Sequence, residues 1–229
     1  MAYPNSFEDD FDCKLPVRYD LLTSKQAMAW TMKLSKIKNQ HYNRNQHRNE
    51  SKEWLKEKRF KDKNFLDSYQ NFYIEEHNKR RGILSLTAEP CLTDMWQKYA
   101  NNSQGFCIGY NSRIMFEFLG GGGKVSYYDE LPTILPEPIM DHLEIHVLQI
   151  FSKEKKWEFE NEYRTHKFWE QPTGINERRI KLPKEAFNKI ILGRNISDKN
   201  RDEITSAVIN NIGNISIIDE DDFCSCNIP

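Results

Sequence analysis

The spacing of apolar residues changes along the chain. From Ser24 to Lys38, Ala27, Trp30, Leu34 and Ile37 recur every three or four positions, the period of an amphipathic helix, and Thr23 or Ser24 supplies its N-cap. The polar stretch NQHYNRNQHRNE breaks that pattern. Helical spacing returns in SKEWLKEKRF and in NFLDSYQNFYIEEHNKRR, which sets Phe65, Tyr69, Phe72 and Tyr73 along one side. From Gly82 the texture shifts to short runs rich in β-branched and aromatic residues: GILSLTA, GFCIGY, KVSYY, EFENEYRTHKF, RRIKL, KIILG and NISIIDE. Between them TDMWQKYA, SRIMFEF, IMDHLEIHVLQIF and DKNRDEITSAVINNI read as helices, with Thr93, Asn111 or Ser112, and Ser197 as N-caps and Pro183 in the first turn of PKEAFN. Strands and helices alternate without the even beat of a doubly wound sheet. The pattern predicts an α+β fold: a mixed or antiparallel sheet of about six short strands, with a helical subregion at residues 23–81, in a single domain spanning residues 1–229.

Charge refines this division. The chain of 229 residues has 33 Lys plus Arg against 34 Asp plus Glu, a net charge of -1 that excludes a polyelectrolyte role for the whole molecule. Between Lys33 and Arg81, however, fourteen basic residues face seven acidic ones. That region carries +7 and the remainder -8. Basic residues interleaved with Tyr42, Trp54, Phe60, Phe65 and Tyr69 could contact phosphates and stack on bases, with Lys56, Lys58 and Arg59 as contacts. A solvated face, or packing of basic helices on an acidic sheet, accounts for the same charges.

The opening MAYPNSFEDDFDCKLP has neither a basic n-region nor an apolar core, and no run approaches the ~18 apolar residues of a membrane span. Five cysteines at irregular spacing fit a reducing compartment better than a disulfide framework, and the chain reads as cytoplasmic. Gly120 to Gly123 lack the Lys-Ser/Thr or GxGxxG context of a phosphate loop and read as a flexible turn.

Candidate chemistry concentrates in WEFENEYRTHKF. As a strand it points Glu158, Glu160, Glu162 and Arg164 to one face, a carboxylate ladder suited to acid/base work or to a cationic transition state if it lies in a cleft. On the surface it is only a charged strand face. SFEDDFDC groups Glu8, Asp9, Asp10 and Asp12 between Phe7 and Phe11, without EF-hand spacing, and reads as an acidic turn pinned by two buried phenylalanines. Trp96 and Tyr99 fall on adjacent faces of their helix, as core or cleft-lining residues. His142 and His146 share a helix face, but HLEIH is not HExxH, and the Cys224-Cys226 pair lacks zinc partners.

These blocks in order resemble the bacterial and phage family called domain of unknown function 2971. Its FNDPFD-like opening corresponds to Phe7, Asp9, Phe11 and Asp12, and its CFS strand to ILSLT. Its MWxxYA helix corresponds to Met95, Trp96, Tyr99 and Ala100, and its GFC strand to Gly105, Phe106 and Cys107. Its WxxExEWR-like strand matches Trp157, Glu160, Glu162 and Arg164, followed by LPKEAFNKIILG. The chain departs at Glu8 and Asp10, at Ser103 where the family has a histidine, and in opening almost directly on the first block, without the family's preceding Tyr-rich strand and helix.

By looser analogy, the strand order and the ExE pair are similar to ADP-ribosyltransferases. The resemblance then implies NAD as substrate, Glu162 as catalytic residue and Glu160 as its acceptor-activating neighbour; Arg164, which offsets the crowding of the carboxylates on the same strand face, completes the catalytic set. Ser85 or Thr87 would be the middle-motif hydroxyl, Trp96 or Tyr99 a nicotinamide wall, and Asp9 and Asp12 further binding residues, in an enzyme of phage or toxin conflict. A non-catalytic binding module with a protein or nucleic-acid partner is the alternative, and a metal-dependent hydrolase using the acidic opening block comes third.

Overall fold

The computed structural model describes residues 1–57 and 62–226. Lys58, Arg59 and Phe60, proposed as part of a nucleic-acid face, lie outside the described residues. The fold is α+β.

Three helices form the basic region: α1 Ser24–Lys38, α2 Arg44–Lys56 and α3 Lys63–Asn78. Thr23 caps α1 in a capping box with Gln26. The polar stretch thought to interrupt the helices instead opens α2, where Asn43 and Gln46 form a second capping box. Polar packing replaces apolar spacing there. Ser35 Oγ meets His47 Nδ1 at 2.7 Å in the α1–α2 contact, and Asn39 donates to Glu50 at 3.0 Å. Buried polar groups stabilise such a contact only when paired, as these are. Below it, Tyr19, Trp30, Tyr69 and Trp54 pack edge to face or tilted against the buried Leu15, Val17 and Ile134. Phe65, Tyr69 and Tyr73 face inward as their spacing predicts, but Phe72 is 65% exposed.

Eight strands follow among the described residues: β1 Arg81–Thr87, β2 Phe106–Tyr110, β3 Gly123–Lys124, β4 Ser126–Tyr128, β5 Ser152–Glu154, β6 Glu162–Phe168, β7 Phe187–Leu192 and β8 Ser216–Asp219. They do not form one sheet of about six. They split into an antiparallel sheet in the order β1-β6-β3, a mixed sheet in the order β2-β7-β8, and a parallel pair β4-β5. Ala2 bridges to Ile83 beside β1, so the first residues extend that sheet. RRIKL is not a strand. Its Arg178 guanidinium donates to the carbonyls of Lys79 at 3.0 Å and Asn78 at 3.3 Å, fastening the α3–β1 junction.

The remaining helices are α4 Thr93–Tyr99, α5 Ser112–Leu119, α6 His142–Phe151, α7 Asp198–Asn211 and α8 Glu220–Ser225. Asn111 and Ser197 cap α5 and α7. Thr93 is the first residue of α4 rather than its cap, a position held by Leu92. Between α4 and β2, Asn101, Asn102 and Ser103 all adopt positive φ, and Asn195 binds back to this turn at two points. Left-handed backbone costs ~1–2 kcal/mol per residue, least for Asn, which explains the Asn-Asn pair. Gly193 is required beside it, because a Cβ there would lie 2.1 Å from the Ser103 carbonyl oxygen. No helix among the described residues is long and apolar enough to cross a membrane.

Cys91 and Cys224 form a disulfide. The irregular cysteine spacing is thus not a set of five free thiols, since chain folding brings together two cysteines 133 positions apart. Cys13, Cys107 and Cys226 remain thiols.

Candidate functional site

A cleft of about 960 Å³ lies between the two three-stranded sheets, lined by β1 and β6 on one side and by β2 and β7 on the other. That volume suits a nucleotide-sized ligand. Asp9, Asp12, Ser85, Thr87, Trp96, Tyr99, Glu160 and Glu162 all line it.

Five charged side chains form its floor. Arg164 is fully buried and lies behind the lining residues. It donates from Nε to Glu162 Oε1 at 2.6 Å and from Nη2 to Glu162 Oε2 at 2.8 Å and Asp12 Oδ2 at 2.9 Å. Its Nη1 reaches the Ile150 carbonyl at 2.7 Å and Cys13 Sγ at 3.2 Å. Lys153 completes the group, with Nζ 2.5 Å from Glu160 Oε2, 3.0 Å from Glu162 Oε2 and 3.8 Å from Asp12 Oδ2. Three carboxylates against two cations leave one unit of negative charge. Burial alone would raise the pKa of Glu162, but the Arg164 hydrogen bonds and the charges of Arg164 and Lys153 hold it below the usual carboxylate value. Burial opposes the charge on Lys153, yet Glu162, Glu160 and Asp12 together raise its pKa above that of an ordinary lysine. Burial pushes the Cys13 thiol up to about 12, with Arg164 opposing.

The carboxylates converge by a route other than strand alternation. Lys155–Glu160 forms a 3-10 turn, Asn161 reverses the chain at φ 41°, and β6 starts only at Glu162. Glu158 therefore leaves the predicted ladder and is exposed. The turn brings Glu160 and Glu162 to the same lysine. Backbone contacts fix them: Thr87 Oγ1 donates to the Glu160 carbonyl at 2.8 Å, and the Glu162 N–H donates to Tyr127 Oη at 2.8 Å. Ser85 adds a small contribution to the lowered pKa of Glu162.

Aromatic residues rise from this floor. Tyr99 Oη donates to Glu160 Oε1 at 3.2 Å while its ring is mostly exposed. Trp157 donates to Asp9 Oδ2 at 2.8 Å and lies beneath the Lys98 ammonium at 4.6 Å. Trp96 lines the cleft from a buried position and braces it, its Nε1 held by the Pro90 carbonyl at 2.7 Å. Asp9 also accepts from the Phe11 N–H at 2.9 Å, and these bonds outweigh burial to lower its pKa. Of the two phenylalanines expected to pin this turn, Phe7 packs on the buried Cys13, Ile83 and Ile150, but Phe11 is 45% exposed.

Sequence reasoning missed Lys153, Tyr127 and the position of Trp157 against Asp9. Lys153 stands among Lys155 and Lys156, and only the course of β5 singles it out for burial. His142 and His146 part company: His142 binds Glu137 at 2.7 Å, and His146 Nε2 meets His166 Nε2 at 2.8 Å. No group of three or more His, Cys, Asp or Glu assembles as a metal site among the described residues. In the helical region Trp54, Phe65 and Tyr69 are engaged in the aromatic cluster and Tyr42 packs against His47.

No family model, curated protein or solved structure matches the chain, so the resemblance to domain of unknown function 2971 rests on its motif residues alone.

Proposed function

We propose that the cleft binds a nicotinamide dinucleotide and breaks the bond between its ribose and nicotinamide, as ADP-ribosyltransferases do. The observation that supports this reading is the buried floor with one unit of excess negative charge beneath an aromatic wall. A fixed negative field stabilises positive charge that develops on the ribose as the bond breaks, and buried charges act more strongly than those in water. Both Glu162 oxygens are held by Arg164, so Glu162 fixes the floor. Glu160, shared between Lys153 and the exposed Tyr99, is the carboxylate facing the ligand. The electron pair of the C–N bond leaves with nicotinamide and neutralises its ring. Water or an acceptor hydroxyl then attacks the ribose carbon and gives its proton to Glu160. Tyr99 and Trp157 flank the nicotinamide, Ser85 and Thr87 offer hydroxyls beside the carboxylates, and Asp9 and Asp12 complete the acidic side of the cleft. NAD is the substrate here. We place this activity in the cytoplasm, in conflict between bacteria and phage or toxins.

Incubation with labelled NAD tests the reading. The wild-type chain is expected to release nicotinamide, and Glu160→Gln to slow release by about a hundredfold or more. Thermal stabilisation by NAD without turnover would instead support a non-catalytic binding module, and neither stabilisation nor turnover would overturn the proposal.

A further inference from the structure

Cys91 and Cys224 join segments from opposite walls of the cleft. Cys91 follows β1, which belongs to the β1-β6-β3 sheet, and Cys224 lies in α8, which continues from β8 of the other sheet. Each sits directly after a cleft residue, Pro90 on one side and Phe223 on the other. The bond is therefore a covalent strap across the cleft. Helix α8 has only six residues, and a helix of that length does not persist alone. Its first residue, Glu220, accepts from Arg194 at 2.7 Å, and the Lys189 ammonium lies 4.8 Å from the Phe223 ring.

The strap coexists with thiols. Cys226 is exposed two residues from Cys224, and Cys107 is half-buried in the cleft wall. An exposed thiolate can attack a disulfide sulfur within its reach. Inside cells, a disulfide among free thiols is characteristically redox-sensing rather than structural.

We propose that Cys91–Cys224 is a redox-reversible strap that controls access to the cleft and is opened by a dithiol reductant. Cys91 is the exposed partner and Cys224 the half-buried one. One thiolate of the reductant attacks Cys91 Sγ, the S–S bond breaks, and Cys224 leaves as a thiolate that takes up a proton. The second reductant thiol attacks the mixed disulfide and frees Cys91 as a thiol. The reductant departs as its own disulfide, and the protein has gained two electrons and two protons. Noncovalent contacts alone then hold α8 and Phe223 at the mouth. This inference is independent of which ligand the cleft takes.

Cys107 reports on the state of the mouth. The full chain, oxidised or treated with dithiothreitol, is exposed to a thiol-alkylating reagent, and modification of each cysteine is followed by mass spectrometry. Reduction is expected to speed Cys107 alkylation by about tenfold, as local opening does, and re-oxidation to restore the slow rate. Cys91→Ser and Cys224→Ser are expected to show the fast rate with or without reductant. Cys13, buried away from the mouth, should stay unmodified throughout. Equal Cys107 rates in both states would overturn the proposal. So would Cys13 and Cys107 reacting together on reduction, because that would mean general unfolding rather than an opened mouth.

Discussion

Arg164 carries two carboxylates on one guanidinium, and its planar fork suits that task in a way a lysine ammonium does not. It pairs with the buried Asp12 and Glu162, and its hydrogen bonds and charge help hold Glu162 below the usual carboxylate value. Arg164→Met leaves both charges without that partner and is expected to cost about 3–5 kcal/mol, measured by urea denaturation at pH 7. Arg164→Lys should recover only part of the loss, since one ammonium cannot reproduce the paired contacts to Glu162 and still reach Asp12 and Ile150. An equal midpoint for Arg164→Met and wild type would show that the floor is not held this way. At this scale the sequence displayed Glu160, Glu162 and Arg164 through their close spacing. It concealed Lys153, whose only distinction is where its strand runs.

Helix α6 and strand β6 meet through His146 and His166, whose Nε2 atoms lie 2.8 Å apart. One must donate and the other accept, so the contact needs at least one neutral ring at the shared proton. Burial, then the charge of Arg81, pushes His146 down to about 4, and the same causes lower His166. His77 is likewise pushed down to about 4 by burial and Arg81. In the unfolded chain these rings titrate near ~6.5, so above that pH both states are neutral and stability is fully present. As pH falls from about 6.5 towards 4, the unfolded chain takes up protons that the native rings refuse, and stability is lost. The urea midpoint should therefore decline across that window, and His146→Gln should make the decline shallower. An unchanged slope would remove this pair from the account. Elements built on local periodicity, such as α1, α5 and α7, could be read directly from the sequence. Only the second half of helix α2, SKEWLK, could be read this way, because its first half is stabilised by polar contacts of His47 and Glu50 with α1 and its C-cap and carries no apolar stripe.

Across the whole molecule, the near-zero charge conceals a basic helical region and an acidic remainder that holds the cleft. Arg44, Arg48 and Lys52 are exposed on α2, away from the cleft lining. Changing all three to Gln is expected to shift stability by no more than about 0.5 kcal/mol and to leave NAD-dependent stabilisation intact. Thermal melts with and without NAD check both points, and loss of the NAD effect would tie the basic face to the cleft. The α+β class, most helices and most strands follow from the sequence because caps and periodic burial act between neighbours a few positions apart. Tertiary structure decided the division into small sheets, the Cys91–Cys224 strap and the burial of Lys153. It also decided that Asp12, Lys153, Glu160, Glu162 and Arg164 share one floor. Those relations join residues from separate segments, and their energies come from desolvation and charge pairing that exist only once the chain has folded around them.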